Sequence, residues 1–153
     1  MRLELVAYDR SFLDLSWTWL HDPTIKALTM APDFTRAAQE EFFAALPTRT
    51  DYHIWGVRLL PDRPIGVAGI KDVRGKDGEY WGYIGEQSCW GQGLGRDMLE
   101  LVEDQAQRLG LSTLKLLVEA GNTRAMTLYG KVGYQEQSRS EGRVQMLKSL
   151  KCN

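Results

Sequence analysis

Cysteine and histidine are scarce in this chain, with two of each in 153 residues. Cys89 and Cys152 show no metal-ligand spacing and build no disulfide framework, so a disulfide-stapled secreted module and a zinc site are both excluded. Two reduced thiols in a cytoplasmic protein is the expectation. An excess of charge of one sign is also missing. The 19 basic and 20 acidic residues are spread along the chain for a formal net charge of −1, which leaves no electrostatic footprint for nucleic acid or an anionic membrane. No apolar run is long enough to span a bilayer, and Met1-Arg2-Leu3-Glu4-Leu5 does not open a signal peptide. Repeats, low-complexity tracts and interior linkers are lacking as well. What remains, 43% hydrophobic and 25% charged residues, is the composition of a single globular domain over residues 1–153.

Glycine, by contrast, is concentrated where it carries information. Residues 89–95 read Cys-Trp-Gly-Gln-Gly-Leu-Gly, between a strand-like stretch, Glu79–Gly85, and an amphipathic helix reaching Leu109. Glycines at alternate positions, Gly91, Gly93 and Gly95, let the backbone turn sharply and approach a ligand closely. Where the loop becomes a helix, several N–H groups lack intrahelical partners and the helix dipole favours negative charge. That combination suits phosphate or pyrophosphate. A tight connection with no ligand is the competing reading of the loop taken alone.

Around it the pattern predicts a mixed α/β chain in the order β-α-α-β-β-β-α-β-α-β-β, with helices flanking a central mixed sheet. Leu3–Ala7 opens as a strand. Ser11–Leu20 places apolar residues 12, 15, 19 and 20 on one helical face, and a loop containing Pro23 and Pro32 follows. Thr35 is an N-cap for a second helix with Ala38, Phe42, Ala45 and Leu46 on its inner face. Tyr52–Leu60 and Pro64–Val73 form a hairpin about Pro61-Asp62-Arg63, and Arg74–Gly78 turns into the strand Glu79–Gly85. The helix after the glycine loop carries Leu94, Met98, Leu101, Val102 and Leu109, with Gly110 closing it. Thr113–Val118 is a buried strand, Asn122–Val132 a helix, and two strands end near Leu150.

A second constellation runs Leu116-Leu117-Val118-Glu119-Ala120-Gly121-Asn122, then Ala125, Leu128-Tyr129 and Lys131-Val132-Gly133-Tyr134. Asn122 caps the helix, and Tyr129 stands two turns on, on nearly the same face. Its hydroxyl either points toward the strand ends above the glycine loop or rests at the surface above a core ring.

Taken together, the glycine loop, the long helix, the apolar strand and Asn-x-x-Ala-x-x-Leu-Tyr-x-Lys-x-Gly-Tyr resemble the GNAT superfamily of acyl-CoA-dependent N-acetyltransferases. The specific motifs cover about residues 50–135, and the element order extends the likeness over the whole chain. The resemblance implies acetyl-CoA as co-substrate and no metal. It implies that backbone amides of Gln92, Gly93, Leu94, Gly95 and Arg96 bind the pyrophosphate, and that backbone near Tyr83, Ile84 and Gly85 binds the pantetheine arm. Asn122 would contact that arm and Tyr129 would sit by the sulfur. Trp90 stands where many relatives carry Arg or Gln; a Trp-Gly-x-Gly opening is similar to the ribosomal-protein and amino-sugar branches.

The implied chemistry is attack of a neutral amine on the thioester carbonyl, with coenzyme A leaving as thiolate. A base, an oxyanion donor and an acid are required. The Tyr129 hydroxyl, protonated at neutral pH, is the acid, and an N–H near Ile84 polarises the carbonyl. For the base, Glu79 and Glu86 flank the donor strand and are expected to act through a water. Glu119, His53 and His21 are the other candidates, because the position where some relatives carry glutamate is Leu117.

The acceptor is read from Leu20–Phe34 and from the hairpin of the last two strands; around the first, Trp17, Trp19, His21, Asp22, Pro23, Met30 and Phe34 cluster. Aromatic walls beside acids suit a small amine, first a nucleotide-linked amino sugar; both Trp residues as core anchors is the bland alternative. Two further readings stay open: a ribosomal-type protein N-terminal acetyltransferase, which needs an open groove, and a non-catalytic acyl-CoA-binding module. Nucleic acid and membrane are not expected partners, and the chain is expected as a monomer or homodimer.

Overall fold

Local capping signals mark nearly every helix in the computed structural model, which describes residues 2–150; Met1 and residues 151–153, Cys152 among them, lie outside the described residues. The strands are β1 (Leu3–Ala7), β2 (His53–Leu59), β3 (Arg63–Arg74), β4 (Asp77–Ile84), β5 (Thr113–Glu119), β6 (Gln135–Ser140) and β7 (Arg143–Ser149). The α-helices are α1 (Arg10–Leu20), α2 (Pro23–Thr29), α3 (Arg36–Ala45), α4 (Leu94–Arg108) and α5 (Thr123–Lys131). No helix among the described residues is long and apolar enough to cross a membrane.

Helix α2 is the main departure from the sequence reading, which placed a loop there. Asp22 accepts from the amides of Thr24 and Ile25 at 2.9 and 3.2 Å, and Pro23 occupies the first turn. Together they start a helix too short to display periodicity. The inner face of α3 also differs. Thr35 caps it as expected, but Ala38 and Ala45 are exposed and Gln39 is buried, its Nε2 donating to Leu13 O at 3.0 Å. A polar side chain with a tertiary acceptor takes the place that an apolar-face argument assigned to alanine.

Among the described residues the strands form one seven-stranded sheet in the order β1-β2-β3-β4-β5-β7-β6. All neighbours are antiparallel except β4 and β5, which are parallel and joined through α4, the long crossover that parallel pairing requires. Two apolar layers flank the sheet. One packs α4, through Leu94, Met98, Leu99, Val102 and Ala106, on Ile65, Ile70, Leu114, Leu116 and Val144. The other gathers Trp19 and Ile25 of α1 and α2 on Val67. Leu109, expected on the inner face of α4, is 44% exposed at its end, and Gly110 beyond it takes φ +84°. Strand β6 is exposed throughout, and its Gln, Glu, Ser and Arg side chains suit a sheet edge.

One detail of register shapes the site. The β4–β5 ladder runs only from Asp77↔Thr113 to Glu79↔Lys115. Beyond Glu79 the strands part, while β4 stays paired with β3 as far as Ile84. The remainder of β4 therefore has one backbone edge without a strand.

Candidate active site

The parted strands open into a cavity of about 560 Å³ between the sheet and α1–α3. At one end it meets Leu116, Val118, Asn122, Ala125 and Tyr129; at the other Tyr8, Phe42, Tyr52, Trp81 and Tyr83 form an aromatic cup.

The glycine loop lies beyond the tip of β4. Gly91 and Gly93 take φ +79° and +76°, a region a side chain enters only with strain. Gly93 is the N-cap of α4 and offers no side chain. The first-turn amides of Leu94, Gly95 and Arg96 thus have no capping partner among the described residues. Gly95 is helical, and a Cβ there would meet only Leu128 Cδ2 at 4.0 Å. Leu94 is buried, so it contributes its amide alone. The Arg96 side chain turns along the helix to Glu100 at 3.0 Å.

Two arginines that sequence reasoning missed stand over the loop. Arg2 reaches across from the chain start to donate to Gln92 O at 2.7 Å and to pair with Asp97 at 2.8 Å. Arg124, two residues past the cap of α5, has Nη2 3.6 Å from where a Gly91 Cβ would lie. Neither is visible as a loop residue in sequence, because each arrives through tertiary packing. Trp90 donates from Nε1 to Ile84 O at 2.8 Å, latching the loop to β4.

That bond also orients the strand edge. Ile84 directs its carbonyl away from β3, whereas Gly85 N donates to Ile65 O at 2.7 Å. By alternation Tyr80, Gly82 and Ile84 present backbone groups to the side that β5 vacates. Of the three positions expected along the arm, only Ile84 has this orientation. Gly85 spends its amide on β3 and is covered by Trp19, whose ring lies 2.1 Å from a Gly85 Cβ position; Tyr83 contributes its side chain to the aromatic cup.

Asn122 caps α5 through Oδ1, which accepts from Ala125 N at 3.1 Å, and it lines the cavity. Tyr129 lines it as well, with its ring 6.0 Å from that of Tyr134 in an edge-on arrangement. Tyr134 donates to buried Glu103 at 2.9 Å, and Lys148 pairs with the same carboxylate at 3.1 Å, tying α4, β7 and the end of α5 together beneath Tyr129. Burial pushes the Tyr129 hydroxyl above its ordinary value, so it holds its proton. Tyr80, fully buried nearby, is pushed up by burial and then by Tyr129 and Glu103.

The acids separate cleanly. Glu79 lines the cavity and pairs with Lys71 at 3.3 Å. Glu86 lies outside it at the loop end, 3.8 Å from Arg63. Glu119 faces Arg143 at 3.8 Å. His53 stacks beside Trp55, and His21 caps α1 with Nδ1 2.6 Å from Trp17 O. Trp17 and Trp19 do not line the cavity: Trp19 is buried in the core, and Trp17 packs against His21 and Phe34. Of the cluster expected to contact an acceptor, Met30 and Phe34 reach the cavity.

The glycine loop at the start of α4 lies against Arg124 and Leu128 of α5, and Tyr129 of the same helix lines the cavity that the parted strands open. The acetyltransferase (GNAT) family model matches residues 14–134. The chain belongs to the GNAT acetyltransferase family. The unpaired loop amides and the free strand edge fit an acyl-CoA co-substrate.

Other GNAT-fold proteins overlay closely. The spermidine N-acetyltransferase of Vibrio cholerae, solved with CoA and spermine, gives a TM-score of 0.89 at 18% identity, over 97% of this chain and 96% of that one. The Campylobacter jejuni N-acetyltransferase PseH with acetyl coenzyme A gives 0.75 at 17% identity, over 97% and 99%. By sequence, 45 residues are 44% identical to the [ribosomal protein bS18]-alanine N-acetyltransferase of Escherichia coli K12, covering 29% of this chain and 30% of that protein. The chain thus matches under a third of the length of that curated relative.

Proposed function

We propose that this GNAT enzyme acetylates the primary amine of a small molecule with an oxygen-rich, flat-faced body, a nucleotide-linked amino sugar being the first candidate. The observation that carries the reading is the cavity joining Tyr129 to the aromatic cup under α1–α3. A half-open cavity lined by aromatic rings suits a small body whose faces pack on them. A protein N-terminus needs an open groove in which a peptide lies along a strand. A polyamine needs several carboxylates, whereas Glu79, already paired with Lys71, is the one acid lining this cavity among the described residues.

The chain's own groups divide the work. Acetyl-CoA supplies an acetyl group already activated as a thioester. The amides of Leu94, Gly95 and Arg96 hold its diphosphate at the start of α4, with Arg124 alongside. Gly82 and Ile84 on the free edge of β4, together with Asn122, align the arm along the fork. Tyr129 keeps its proton at neutral pH and passes it to the departing sulfur. Glu79 receives the proton of the amine, directly or through water; Glu86, outside the cavity, acts only on the loop side. The reading carries a cytoplasmic location and a monomeric or homodimeric enzyme with it.

Thiol release with acetyl-CoA tests this against a UDP-linked amino sugar, spermidine and a peptide beginning with alanine. The amino sugar should be used at least tenfold more efficiently in kcat/KM. Preference for the peptide or for spermidine overturns the reading.

A further inference from the structure

Two polar atoms in the aromatic cup have no hydrogen-bond partner among the described residues: Trp81 Nε1 and Tyr83 Oη. The residues are two apart on β4, so both side chains leave the same face of the strand. Their rings lie 6.5 Å apart and nearly parallel, and both line the cavity. Each has one hydroxyl close by, Ser16 beside Tyr83 and Tyr52 beside Trp81, and neither meets hydrogen-bond geometry. Ser16 Oγ donates to Phe12 O at 2.8 Å and is engaged by the Tyr8 hydroxyl at 2.8 Å.

Buried donors without acceptors are rare and destabilising in folded proteins. Both atoms belong to residues lining the cavity but have less than 1 Å² of exposed surface, so a ligand completes them by displacing a neighbouring group as it enters. Their chemistry narrows that ligand. An indole N–H only donates. Burial pushes the Tyr83 hydroxyl well above the ordinary tyrosine value, with Ser16 pulling it partly back, so Tyr83 also holds a proton to donate. An ammonium, itself only a donor, leaves the indole N–H unanswered and meets Tyr83 Oη only as an acceptor.

We propose that Trp81 Nε1 and Tyr83 Oη together bind an oxygen acceptor of the amine substrate, a hydroxyl, ether or carbonyl, and thereby select oxygen-bearing amines over polyamines and alkyl amines. The inference rests on the small-molecule acetyltransferase reading above and specifies its substrate class. A site built to donate hydrogen bonds rejects analogues that lack the acceptor far more strongly than an apolar pocket discriminates by shape. Both residues act on specificity; Tyr129 and Glu79 act on the reacting atoms.

The test compares thiol release by wild type, Trp81→Phe, Tyr83→Phe and the double variant. The amines are glucosamine, a UDP-linked amino sugar, cyclohexylamine and spermidine. Wild type should favour the better of the two sugars over cyclohexylamine by at least about tenfold in kcat/KM. That ratio should fall toward one in the double variant. Tyr83→Phe should melt no lower than wild type in the absence of amine, because it removes an unpaired hydroxyl while keeping the ring. A ratio unchanged by the double variant overturns the inference, as does a wild-type preference for cyclohexylamine or spermidine. A lower Tm in Tyr83→Phe with an unchanged ratio assigns the hydroxyl a structural bond instead. Failure of wild type to use any of the four amines while binding acetyl-CoA removes the small-molecule reading, and this inference with it.

Discussion

Replacing Gly95 with aspartate separates the anion site from the fold more sharply than any other single change. Gly95 is the second residue of α4, is helical, and has open space where a Cβ would project. The side chain therefore fits. An acidic residue in the first turn of a helix stabilises it by about 0.3–1 kcal/mol, which raises Tm by about 1–4 °C in a domain of this size. With the diphosphate on these amides, as proposed, the same carboxylate would face it. At about 5 Å, two unit charges repel by about 1 kcal/mol in water-like surroundings and about 3 kcal/mol near a protein surface. With about 1.4 kcal/mol per factor of ten, acetyl-CoA affinity should fall by about fivefold to about a hundredfold for one phosphate charge, and further if both are felt. Calorimetric titration with acetyl-CoA, without acceptor, reads the affinity; a thermal melt reads the fold. Higher or equal Tm with much weaker binding is the expected pair of results. A folded variant that binds within about threefold of wild type refutes the placement of phosphate on these amides.

Gly93→Ala tests the loop conformation. Holding alanine at φ +76° costs about 1–2 kcal/mol, so Tm should fall by about 2–8 °C or acetyl-CoA Kd rise about 5–30-fold; neither change would show that the left-handed turn is dispensable. Tyr129→Phe should lower kcat about a hundredfold or more while leaving the Kd for acetyl-CoA within about twofold, measured by steady-state rates and calorimetry; an unchanged kcat assigns the proton to another donor. Because burial raises the Tyr129 pKa above its ordinary value of 10, the acid stays protonated through neutral and mildly alkaline pH. The rate should then rise as the amine loses its proton and stay level to about pH 9.5, and a decline below that pH contradicts Tyr129 as the acid. Glu79→Gln should reduce kcat at least about tenfold more than Glu86→Gln, since only Glu79 lines the cavity; equal effects in parallel assays remove Glu79 as the base.

Much of this architecture is local and so was legible in the chain alone. A left-handed turn needs glycine, and Gly91 and Gly93 adopt it. An asparagine three residues before an amide it can cap marks the start of α5, and Asn122 does so. Tyr129 follows from helical spacing, and β3 and β4 from turn residues and alternation. Each of these depends on residues within a few positions of one another, where covalent geometry leaves few choices. Even locally the reading has a limit: α2, seven residues long, is set by Asp22 and Pro23 rather than by any periodic face.

Tertiary structure decided the rest, because it depends on which distant groups become neighbours. That Arg2 straps Gln92 and Asp97, ninety or more positions away, has no trace in local pattern. The same holds for the choice of Glu79 over Glu86 as the acid in the cavity, which follows from where the β4–β5 ladder stops. By composition Trp17 and Trp19 could serve as pocket walls or as core anchors of the first helix; packing puts Trp19 in the core and Trp17 against His21 and Phe34, and the cavity walls come from Tyr52, Trp81 and Tyr83. Residue types and short spacings determined the glycine turn at the start of α4 and the Asn122 cap of α5, since one turn of backbone supplies each. Recognition of the acceptor takes side chains from several elements at once, and only the folded chain brings those together.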